Sequence, residues 1–229
     1  MRRHLTLLVA SAVLMTLMSA TCKKPLVCIG DCYDLKIYGT TLSATTGTPV
    51  GNVPFTLYRR ATGIFSTKRK IIDFQSDASG TIIATASIDT SALRSNYYFY
   101  AEMRDSPKWV PADDDLPYLY DITRSPFDNY QSKVYERKDL TLKLQHVLPG
   151  DFTPFSVSCH YGANHGSIPW IASQPQDIKE TTKVVGMASG LWAYIDISRT
   201  DVSGNSTLTR DSVFMTPGSS PVPPYIVKY

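Results

Sequence analysis

The chain has 229 residues, of which 43% are hydrophobic, with 23 lysines and arginines against 20 acidic residues for a formal charge of +3. A near-neutral body of this size lacks the concentrated basic surface that nucleic acid requires, yet it is long enough to bury one large core or two small ones. Four histidines leave little material for acid–base or metal chemistry.

The N-terminus opens with Met1-Arg2-Arg3-His4, continues through an apolar run, and closes on Ser19-Ala20-Thr21 before Cys22. As a helix, the stretch from Leu5 to Ala20 rises only ~24 Å, short of the ~30 Å hydrocarbon core, so it reads as a signal segment rather than a permanent span. The basic start, apolar run and terminal cysteine resemble the signal and lipobox of Gram-negative bacterial lipoproteins, with Ser19 and Thr21 departing from the usual residues. That resemblance implies cleavage before Cys22, acylation of its thiol and new N-terminus, and an outer-membrane address on either the periplasmic or the cell-surface face. Ordinary cleavage near Ala20, leaving a free periplasmic protein, is the alternative.

Loss of residues 1–21 removes Arg2 and Arg3 and leaves 21 basic against 20 acidic residues. Cys28, Cys32 and Cys159 then remain besides Cys22. Cys28 and Cys32 either close a small loop as a disulfide in an oxidising compartment or stay as thiols. Their three-residue separation, with no second pair, argues against zinc.

From residue 34 onward, Gly, Pro, Asn, Asp and Ser punctuate runs of Val, Ile, Thr, Tyr and Phe, the pattern of an all-β protein. Leu35 and Ile37 alternate with Lys36 and Tyr38, and Val53, Phe55 and Leu57 alternate with Pro54, Thr56 and Tyr58. Further strands are expected over 82–88, 97–103, 140–145, 155–161, 183–187, 191–198, 212–216 and 225–228. The segment Thr46-Gly-Thr-Pro-Val-Gly-Asn-Val-Pro-Phe-Thr-Leu-Tyr58, the turn Asp77-Ala-Ser-Gly80 and the strand Asn96-Tyr-Tyr-Phe-Tyr-Ala101 are similar in order and spacing to carboxypeptidase-regulatory and transthyretin-like β-sandwich domains. The physics agrees: Pro49 presets φ, Asp77 can accept from the backbone ahead of it, and Gly80 can take positive φ. The expected organisation is a signal peptide over 1–21, a lipid-anchored tether over 22–33, a first sandwich over 34–145 with a long excursion at 105–138, and a second, Ig-like sandwich over 146–229.

No catalytic, cofactor-binding or metal-binding residue can be nominated. Cys159 and His160 are neighbours on a strand and point to opposite faces. Ser189 in Gly186-Met-Ala-Ser-Gly190 stands one place too late for a nucleophile elbow. Asp113-Asp114-Asp115 lacks the spacing of a calcium loop, and Arg59, Arg60, Lys68, Arg69 and Lys70 bracket a hairpin tip near Gly63, either as a hydrated surface or as positive charge gathered against lipid phosphates or acidic glycans. The best hint of ligand contact is aromatic: Trp109, Tyr118 and Tyr120 in the long middle segment and Trp170 beside Pro169 can either stack on sugars or proteins or pin loops to the sandwich. The expected function is a non-enzymatic, lipid-anchored cell-envelope protein, binding or structural, with the membrane as partner through its lipid and envelope proteins or glycans as further partners. A carbohydrate-binding accessory lipoprotein of a glycan-uptake system is the alternative, and a transthyretin-like hydrolase a more remote one.

Overall fold

Branched and aromatic residues at every second position organise the chain into thirteen strands in a computed structural model that describes residues 28, 30–61, 67–90, 97–112, 128–146, 152–162, 165–201 and 203–229. They are β1 (Cys32–Ser43), β2 (Pro54–Ala61), β3 (Lys68–Gln75), β4 (Thr81–Asp89), β5 (Tyr97–Met103), β6 (Trp109–Pro111), β7 (Tyr130–Gln145), β8 (Phe155–Tyr161), β9 (His165–Ala172), β10 (Thr182–Ala188), β11 (Trp192–Thr200), β12 (Ser206–Phe214) and β13 (Tyr225–Lys228). The only helical element of three or more residues among the described residues is a 3-10 turn at Pro175–Asp177. The all-β reading therefore holds.

Three sheets result. β3-β2-β5 form one, β12-β11-β8-β9 form another, and the third runs β10-β7-β1-β4, with β6 and β13 also pairing β7. Two cores fill the spaces between them. Leu35, Ile37, Ile82 and Ile88 from β1 and β4 meet Phe55, Leu57, Phe99 and Ala101 from β2 and β5 in the first. Leu140, Leu142, Leu144, Val185, Met187 and Val227 from β7, β10 and β13 meet Val157, Cys159, Ile195 and Ile197 from β8 and β11 in the second.

Strand β7 serves both cores. Its first half pairs with β1 and β6 and contributes Tyr130 and Val134 to the first core, while its second half pairs with β10 and β13 and contributes three leucines to the second. The expected limit at 145/146 thus falls at the end of a strand whose last leucines pack with the residues that follow. The segment 105–138, expected as an excursion or a long loop with short strands of its own, is described over 105–112 and 128–138. Its two ends form β6 and the start of β7, with Trp109, Val110, Tyr130 and Val134 buried. Lys133, Glu136, Arg137 and Lys138 disguise that strand because they sit at its solvent-facing and pairing positions.

The turns follow their residues. Asp77 Oδ1 accepts from the backbone N–H of Ser79 at 2.8 Å and of Thr81 at 2.9 Å. Gly80 takes φ +85° there, and a Cβ on it would meet the backbone of Val50 and Thr41 at about 3 Å, so glycine is required twice over. Asp201 repeats the arrangement, accepting from Ser203 and Asn205 before β12. Cys28 and Cys32 are joined by a disulfide with their Cα atoms 5.8 Å apart, and Cys159 is free and buried.

Candidate functional site

Of the exposed aromatics among the described residues, Trp192 and Phe214 lie side by side on the outer face of the β12-β11-β8-β9 sheet, and Tyr38 lies on β1. Strand β11 reads Trp192-Ala-Tyr-Ile-Asp-Ile-Ser198, and its period of two sends Ala193, Ile195 and Ile197 into the second core. Trp192, Tyr194, Asp196 and Ser198 therefore face outward. Register extends each of them into a row across the sheet: Trp192 lies opposite Phe214, Tyr194 opposite Ser212 and His160, Asp196 opposite Arg210 and Ser158, and Ser198 opposite Leu208 and Ser156. Ile171 continues the last row on β9.

Each row has a defined geometry. The rings of Trp192 and Phe214 sit 5.4 Å apart at 58°, with 51% of Trp192 and 42% of Phe214 exposed. Tyr194 stacks on His160 at 5.4 Å and 25°, and the Arg210 guanidinium approaches its ring at 5.9 Å. Beside His160, a Cβ at Gly166 would lie 2.4 Å from the Cys159 carbonyl oxygen and 2.8 Å from the His160 Cβ, so only glycine lets β9 come this close.

The third row is an ion pair with fork geometry. Arg210 Nε donates to Asp196 Oδ1 at 2.6 Å and a terminal nitrogen donates to Oδ2 at 2.7 Å. These bonds hold the Asp196 carboxyl below the usual carboxylate range and raise the Arg210 guanidinium, while His160 Nδ1 stands 3.9 Å from Oδ2. Below this face, burial with a further push from Asp196 raises the Cys159 thiol to about 12, leaving it protonated and inert at neutral pH.

The residues singled out from sequence fall elsewhere. Trp109 and Trp170 are buried, at 9% and 5% exposure, and Trp170 Nε1 donates to the Glu180 carbonyl at 2.9 Å. Both rings pin the chain onto the cores, the plainer of the two readings open to them. Tyr118, Tyr120, Asp113 to Asp115, Gly63 and Cys22 lie outside the described residues. Cys159 and His160 do point to opposite faces, the first into the core. Trp192 was passed over, although the alternation of β11 marks its outward position.

A concavity of about 570 Å³ is lined by Val110, Arg137, Tyr161, His165, Ile168 and Val184 among others. Arg137, the cation at its wall, is committed: Nε donates to Asp139 at 2.7 Å, and one terminal nitrogen donates to Asp105 and to the Ser106 carbonyl at 2.9 Å each. Among the described residues, no three His, Cys, Asp or Glu side chains are grouped to hold a metal ion. The three histidines among them all make ring contacts, His146 with Tyr229, His160 with Tyr194 and His165 with Tyr161.

No protein-family model and no curated protein matches this chain. Among solved structures, it is similar to the shaft pilin SpaA from Lactobacillus rhamnosus GG, with TM-score 0.31 and 7% identity over 86% of this chain and 97% of the pilin. It is also similar to the Bacillus anthracis TIE protein, with TM-score 0.31 and 11% identity over 85% of this chain and 34% of that one. At these scores and identities the likenesses assign neither a family nor a function.

Proposed function

We propose that this chain is a non-enzymatic cell-envelope protein, tied to the outer membrane by acyl chains on Cys22, that presents the outer face of its second sheet as a binding surface. The observation that carries the reading is the solvent-facing row of Trp192 and Phe214 above an ordered Asp196–Arg210 pair, on a sheet whose other face sends Val157, Cys159, Ile195 and Ile197 into the core. Exposed rings on a rigid strand are suited to recognition, because two fixed χ angles lose little entropy on binding.

The anchor rests on the residues around Cys22. Burial of acyl chains contributes about 0.8 kcal/mol per CH₂, and several chains on one cysteine make attachment effectively permanent. Lys23 and Lys24 would lie near anionic head groups. The Cys28–Cys32 disulfide ends on the first residue of β1, so a covalent link stands where the first sheet begins.

Radiolabelled palmitate tests the anchor directly. Wild type is expected to take up label and sediment with membranes, whereas Cys22→Ala takes up none and is released on lysis. Equal labelling of the two proteins would eliminate the lipidated reading.

A further inference from the structure

From the geometry of the second sheet we infer that its outer face is a binding site for a neutral oligosaccharide chain, a ligand class that deepens the binding-surface reading and rests on it. Three observations converge on that chemistry.

The first is charge. The ionised groups of the face's central row are Asp196 and Arg210, and they neutralise each other through two hydrogen bonds. His160 and Tyr194 stand beside them, stacked on each other. A face with no net charge does not attract a polyanion, whose binding depends on released counterions and unpaired cations. It suits a neutral ligand that brings its own donors and acceptors.

The second is the order of the rows. A protein–protein interface has an apolar centre and a polar rim. Here the arrangement is inverted. Trp192 and Phe214 occupy one end, Leu208 and Ile171 the other, and between them lie the polar rows Ser212–Tyr194–His160 and Arg210–Asp196–Ser158. A pyranose chain matches this order. The C–H face of one sugar covers an exposed indole, while hydroxyls of the next, each both donor and acceptor, meet a carboxylate and guanidinium held in one plane.

The third is length. Trp192 and Asp196 are four residues apart on one strand, or about 13 Å at strand rise. One sugar cannot reach both rows; a short oligosaccharide can. Affinity should therefore rise with chain length until both rows are engaged and then level off.

The test is gel retardation of the purified protein through a panel of neutral polysaccharides (β-glucan, xylan, mannan and starch), followed by calorimetric titration with oligosaccharides of increasing length from the polymer that retards it. Trp192→Ala is expected to weaken binding at least about tenfold, and Asp196→Asn by a similar factor. Tyr98→Ala, on the opposite sandwich, should leave binding unchanged. Because Trp192 is half exposed, its variant should melt with wild type, which separates lost binding from lost folding. Retardation of Trp192→Ala equal to wild type would overturn the placement. Retardation by no neutral polysaccharide, or only by an acidic one in a salt-sensitive way, would overturn the ligand class. Neither failure touches the anchor, which is read separately by palmitate incorporation.

Discussion

The two sandwiches each turn an aromatic sheet face outward, and the two faces are finished differently. On the β3-β2-β5 sheet, Tyr58 and Tyr100 stack at 5.7 Å, Tyr98 tilts against Tyr100 at 5.8 Å, and the Lys68 ammonium lies 3.8 Å over the Tyr58 ring while bonded to Glu102. Asp73 accepts from Thr56 and Lys70 alongside. Those rings are covered by their own neighbours, and Tyr100 is only 6% exposed. On the β12-β11-β8-β9 sheet Trp192 touches Phe214 yet remains half exposed, and Phe214 is open as well. Aromatic content alone therefore marks no site; what separates the two faces is whether the chain supplies the covering groups itself.

Truncation should separate the faces most sharply. Tyr100→Ala removes a buried ring and should cost about 3 kcal/mol of stability, whereas Trp192→Ala should cost less than about 1 kcal/mol. Urea unfolding with an unchanged m-value checks both. A Trp192→Ala cost matching that of Tyr100→Ala would show that the second face is also structural. Beneath it, the raised Cys159 thiol should resist iodoacetamide in the native protein at pH 8 and react only in denaturant; rapid native labelling would mean that the floor of the face opens.

Smaller effects distinguish the two ion pairs. A double-mutant cycle on Asp196 and Arg210 should give a small favourable coupling, since the arginine is largely exposed. Lys68 with Glu102 should give no more than that and should fade at high salt. The fold also holds the carboxyls of Asp73, bonded by Lys70 and Thr56, and of Asp196, bonded by Arg210, below their ordinary values. On acidification the unfolded chain takes up these protons first. Their stabilisation is present above the unfolded range near pH ~4 and is lost as pH falls through it toward the folded values. Melting followed by circular dichroism from pH 7 to 3 should show a falling Tm, with a shallower fall in Asp196→Asn. A Tm that rises toward pH 3 would reverse the sign of the assignment.

Much of the architecture was legible because alternation is local. Leu35 with Ile37, Val53 with Phe55 and Leu57, and the Asp77 and Asp201 turns can each be read within a few residues, and each is placed as its chemistry requires. Strand β9 was missed because Gly166 and Pro169 interrupt its pattern. Both are tolerated on an edge strand, where a proline need not donate and a glycine admits the neighbouring backbone. The start of β7 was missed because its buried Tyr130 and Val134 stand four apart among charged residues. The aromatic assignments depended on tertiary cover, which no local window contains: Trp109 and Trp170 sit next to prolines and charges yet pack inward, while Trp192 starts a strongly patterned strand and remains half exposed.

Tryptophan quenching tests the central claim most directly, since the chain carries three tryptophans in two environments. With acrylamide as quencher, one accessible and two shielded emitters are expected, the accessible one vanishing in Trp192→Phe and becoming protected when a retarding oligosaccharide is added. If Trp192→Phe leaves the accessible fraction unchanged, or saturating oligosaccharide leaves Trp192 as open as before, the second sheet's outer face is not the binding surface.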